Sequence, residues 1–144
     1  MRSTPSAPAD PDPADAPRLV GDALALAGDL PGARRGAAWS LDAPGRQLDA
    51  NLVRLPPHDR IELHSEPDLD VLLMVTAGRG TVVTGAPPHT GEEPLALYPG
   101  AVVWLPRGST RALVADGAGL AYLTVHRRRP GLRIRGPERA AELL

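Results

Sequence analysis

The chain has 144 residues, a net charge of −1 from sixteen basic and seventeen acidic side chains, and no cysteine. That length suits a single domain, and the balanced charge gives no general pull toward nucleic acid or an anionic membrane. The missing cysteine excludes disulfides, thiolate catalysis and thiolate metal sites, so a metal here would have only nitrogen and oxygen ligands.

Residues 1–17 carry five prolines among Ala, Ser and Asp, a mixture that buries little surface and predicts a disordered Pro/Ala-rich tail. The first residues lack the apolar stretch of a secretory signal, and nowhere do about 18 apolar residues run together as a spanning helix needs. The expectation is a soluble, cytoplasmic protein with no membrane partner. Over residues 18–31, Leu19, Val20, Ala23, Leu24, Ala27 and Leu30 recur at helical spacing until Pro31 and Gly32 stop the pattern. They predict one short amphipathic helix, stabilised by docking on the elements that follow.

Beyond it the texture changes to short apolar runs bounded by Gly and Pro: 37–41, 47–55, 60–64, 71–75, 81–84, 95–98, 101–105, 110–115 and 120–126. Many short strands at this spacing predict an antiparallel sandwich or barrel over residues 36–135. With Phe absent and only Trp39, Trp104, Tyr98 and Tyr122 aromatic, its core is built mostly of Leu and Val. Residues 85–94 form a long connection, expected as a lip over the barrel mouth. Arg127, Arg128 and Arg129 read as a solvated strand end rather than a phosphate grip, and residues 136–144 as a C-terminal tail. His58, His89 and His126 read as surface residues.

Two blocks carry more specific information. Gly100, Pro106 and Gly108 have the spacing Gly, five residues, Pro, one residue, Gly; upstream stand His64, Glu66 and, closing the earlier block, Gly78. Together they resemble the two signature blocks of the cupins, and the chain is identified as similar to small single-domain bacterial cupins. The resemblance implies an all-β fold, the double-stranded β-helix or jelly-roll barrel with a short N-terminal helix, often holding one metal ion and often paired as a homodimer. Several positions depart from that pattern. His58 stands at the first block's opening Gly, Glu66 at its second His, and Val71 at its Glu, with Asp70 one residue earlier. In the second block Arg111 replaces the His and Ala115 the Asn.

Arginine stays protonated and offers only donors, so Arg111 cannot ligate a cation. Residues two apart on a strand share a face, which aims His64 and Glu66 together into the barrel. The expected arrangement is Arg111 paired with Glu66 and Asp70 at the barrel mouth, with His64 beside them; the opposing one has Arg111 pointing outward and Glu66 solvated. The ligand-binding set is therefore His64, Glu66, Arg111 and Trp104, with no metal and no cofactor. Its role is to bind a small molecule, with a carboxylate suited to Arg111, or to act as a non-catalytic homodimeric module. The alternative is a Mn or Fe enzyme, a dioxygenase or isomerase, with His64, Glu66 and Asp70 as ligands. No G-x-S-x-G nucleophile motif is present.

Overall fold

The computed structural model describes Pro5, residues 16–84 and residues 94–129. The tails expected at 1–17 and 136–144, the lip at 85–94 and His89 lie wholly or largely outside the described residues. Seven strands follow one short helix: α1 (Ala23–Ala27), β1 (Gly36–Ser40), β2 (Leu48–Leu55), β3 (Arg60–Ser65), β4 (Val71–Thr84), β5 (Leu95–Leu97), β6 (Val102–Leu105) and β7 (Thr110–Arg127). All ladders are antiparallel. The sheet runs β1-β2-β7-β4-β5, with β3 also on β7 and β6 also on β4.

Two long strands organise the barrel. β4 and β7 pair along almost their whole length, from Val71↔His126 to Thr84↔Arg111. One half of β7 carries β2 and the other carries β3, so each long strand belongs to two half-sheets and the jelly roll closes where both bend. At the bend, Gly78 and Gly119 adopt φ of +77 and +80, and a Cβ on Gly78 would stand 2.1 Å from the Gly119 carbonyl oxygen. Only glycine gives that backbone conformation and that approach together.

Alternation sets the core. Val71, Leu73 and Val75 of β4, Val103 and Leu105 of β6, and Leu113, Leu120 and Tyr122 of β7 face inward in one continuous apolar cluster. Leu72, Met74, Val102 and Trp104, interleaved with them, face outward and remain exposed. Burying each large apolar side chain contributes about 1.5–3 kcal/mol, so the period-2 pattern fixes which face closes.

The helix is shorter than expected. Asp22 caps it by accepting from the Leu24 and Ala25 N–H groups at 3.1 and 3.2 Å, and Gly28, at φ +60, ends it after five residues. A separate 3-10 turn, Leu30–Gly32, follows with Pro31 inside it. Of the predicted apolar stripe, Ala27 and Leu30 are buried, against Ala121 on the outside of β7, while Leu19 and Leu24 are exposed. The docking on the barrel's exterior is as expected, but over one turn.

Candidate ligand site

Arg111 lies in β7 near its start, between β3 and β4, where it pairs with His64 on one side and Thr84 on the other. Since Leu113 and Ala115 further along β7 belong to the core cluster, period 2 carries Arg111 to the inner face as well. Its side chain is 0% exposed, the largest fully buried one among the described residues. The outward reading of Arg111 is therefore incorrect.

His64 reaches the same face through an irregularity. Ile61 pairs with Leu113 and His64 with Arg111, so three residue steps on β3 match two on β7. Plain alternation from the buried Ile61 would turn His64 outward, and the extra residue, a β-bulge, turns it back. Directly opposed residues of an antiparallel pair hold their Cβ atoms about 4.5–5.5 Å apart, which makes His64 and Arg111 immediate neighbours.

The hydrogen bonds of these two side chains are incomplete. Arg111 donates from Nη1 to the Ser109 carbonyl at 2.9 Å and to Ser109 Oγ at 3.1 Å. Ser109 Oγ in turn donates to the Pro106 carbonyl at 2.6 Å, leaving its lone pairs for the guanidinium. Nε and Nη2 of Arg111 are buried with no partner, and so is Nε2 of His64. Nδ1 of His64 stands 2.7 Å from the Glu62 carbonyl oxygen; a carbonyl only accepts, so Nδ1 carries the proton. Burial without a counter-charge holds the Arg111 pKa below the ordinary arginine value.

Glu66 is only 4% exposed but does not pair with Arg111. Its ion-pair partner is Arg129, which also approaches Asp68. The Asp68 N–H donates to Glu66 Oε2 at 3.0 Å, and the Glu66 carbonyl accepts from Gly108 N–H at 2.7 Å. Among the described residues no carboxylate lies within ion-pair distance of Arg111. The expected Arg111–Glu66–Asp70 cluster is corrected accordingly. Asp70 is occupied elsewhere, accepting from the Arg107 N–H at 2.9 Å and tying the Pro106 turn to β4.

Trp104 does not join the group either. It pairs across with Leu72 on the outer face and is 59% exposed, because its neighbours Val103 and Leu105 take the inward positions. Two contributors went unnoticed in the sequence. Ser109 stands two residues before Arg111, a spacing common enough to signal nothing, and Arg129 belongs to the arginine run read as solvated.

The metal ligands that the cupin pattern implies do not fit these residues. Among the described residues no three His, Cys, Asp or Glu side chains gather as a cation would require. The set His64, Glu66 and Asp70 is not assembled, and a guanidinium stands beside the single imidazole.

No family model matches the chain, and no curated protein does. Solved structures share its fold. A protein from Bacillus halodurans, BH2720, is 21% identical, with 84% of this chain and 88% of that one covered and a TM-score of 0.62. TT1209 from Thermus thermophilus is 20% identical over 77% of this chain and 98% of that one, with a TM-score of 0.58. A sugar phosphate isomerase from a cupin superfamily, from Silicibacter pomeroyi, is 29% identical over 63% of this chain and 59% of that one, with a TM-score of 0.52. The architecture these barrels share with β1–β7 is an antiparallel jelly roll. The fold is the one seen in solved structures named as cupins, from Silicibacter pomeroyi, Bacteroides fragilis and Schizosaccharomyces pombe.

Proposed function

We propose that this cupin barrel works as a small-molecule binding module in which the Arg111 guanidinium takes the electrostatic place of the metal ion, and that the ligand is a small carboxylate. One observation carries the reading: Arg111 is 0% exposed, with two donors unpartnered and no carboxylate beside it among the described residues. A charge so buried is costly unless it is paired. Nε–H and Nη2–H leave one edge of the guanidinium in parallel, the fork that two carboxylate oxygens match. Nη1, pinned on Ser109, holds the plane still.

Thermal unfolding with and without acetate at constant ionic strength tests this. Acetate raises the melting temperature of the wild type progressively, reaching about 2.7 kcal/mol of stabilisation at a hundred times Kd, and leaves Arg111→Met unmoved. Without acetate, Arg111→Met is more stable than wild type by about 1–3 kcal/mol, since an apolar chain replaces an unpaired charge. Absence of any acetate effect on a folded wild type would sink the reading.

The module also pairs as a homodimer. Supporting this, Leu72, Met74, Val102 and Trp104 form an uncharged apolar patch on the outer face, beyond the part covered by Ala27 and Leu30. Such a patch suits a two-fold, self-complementary contact. Sedimentation velocity is expected to give a dimer for wild type and a monomer for Leu72→Arg; a wild-type monomer at micromolar concentration contradicts it.

A further inference from the structure

The seam between β3 and β7 holds three buried, unpartnered polar atoms rather than two: donors Nε and Nη2 of Arg111, and Nε2 of His64. Their polarities differ. With the His64 proton on Nδ1, held there by the Glu62 carbonyl at 2.7 Å, Nε2 of the neutral ring is a lone-pair acceptor. A plain carboxylate satisfies the guanidinium edge and leaves Nε2 unmet. A carboxylate with a hydroxyl on the adjacent carbon satisfies all three: its oxygens accept from Arg111 while its O–H donates to His64.

The surroundings bound the rest of that molecule. Past Arg111 the inward positions are Leu113 on β7, Ile61 opposite it on β3 and Val82 opposite it on β4, all within the core cluster. They offer no further hydrogen bond, so the remaining substituent is short and apolar.

From this we infer that the site takes a short-chain 2-hydroxy carboxylate, with His64 reading the hydroxyl and Arg111 the carboxylate. This rests on the carboxylate reading of Arg111, and the experiment separates the two. Isothermal titration calorimetry at pH 8 compares glycolate and lactate with acetate and propionate. The hydroxy acids bind about tenfold tighter, the worth of one good hydrogen bond. In His64→Phe, the ratio of hydroxy-acid to plain-acid affinity falls from about ten to about one. Arg111→Met loses both kinds of acid.

A second readout needs no variant to bind. In imidazole nitrogen NMR, glycolate shifts the His64 Nε2 resonance and acetate leaves it in place, the assignment being made by its disappearance in His64→Phe. Equal affinities for glycolate and acetate, or a stationary Nε2 signal at glycolate saturation, overturn the hydroxy-acid inference and leave the carboxylate site standing. Failure of all four acids to bind overturns both.

Discussion

His58 is held at φ +62, and among the described residues no other non-glycine side chain occupies that left-handed region. Its N–H donates to the Asp116 carbonyl at 3.0 Å, fixing the turn before β3 to the bend of β7. The cupin pattern has Gly at this place, so the turn retains the conformation although the residue that adopts it freely is gone. A side chain there costs about 1–2 kcal/mol, against about 0.5–1 kcal/mol for glycine's extra freedom in the unfolded chain. His58→Gly is expected to stabilise the protein by about 0.5–1 kcal/mol, read as a higher urea midpoint at unchanged slope. A lower midpoint means that the exposed imidazole contributes packing greater than the strain. At the same scale, Arg111 was legible as the site's distinctive residue because it stands where the second block expects His. Its lack of a carboxylate partner was not, because Glu66 is engaged by Arg129, which no local spacing connects to it.

At the scale of elements, alternation and turn residues located nearly every strand, and the misreadings share one cause. The pattern predicts two strands over 71–75 and 81–84, and two over 110–115 and 120–126; the structure has one β4 and one β7. Gly78 and the Asp116–Gly119 stretch look like chain reversals in a sequence, since the same glycines serve a hairpin and a bend. What separates the two is whether the partner strand bends at the same level, and β4 and β7 do so with Gly78 against Gly119. The bulge in β3 was invisible for a similar reason. Facing His64 inward was expected from its two-residue spacing to Glu66, yet Glu66 lies past the end of β3, and His64 reaches the inner face because the register slips between Ile61 and His64. The slip is set by pairing with β7, a long-range property that the run 60–65 does not contain.

For the molecule as a whole, the apolar cluster that fills most of the barrel resists ionisation of an acid within it, and Tyr122 reports on that. It is 0% exposed and faces Val53 on β2 and Val75 on β4, all three in the core cluster. Burial pushes its phenol pKa far above the ordinary tyrosine value, with the positive charge of Arg35 opposing the shift only in part. An acid whose folded pKa lies above its unfolded value of about 10 keeps its proton longer in the folded state. Its contribution to stability is therefore whole below about pH 10 and is lost as pH rises beyond, at about 1.4 kcal/mol per pH unit from this one group. The chain has two tyrosines, and Tyr98 is half exposed, so Tyr98→Phe leaves Tyr122 as the lone reporter. Spectrophotometric titration of that variant is expected to show no phenolate band while circular dichroism remains native. Both signals then change in one cooperative step, because the phenolate forms only once the barrel opens. A phenolate band rising near pH 10 with the fold intact would show that solvent reaches the interior without global unfolding, contrary to a core that closes on every side of Tyr122.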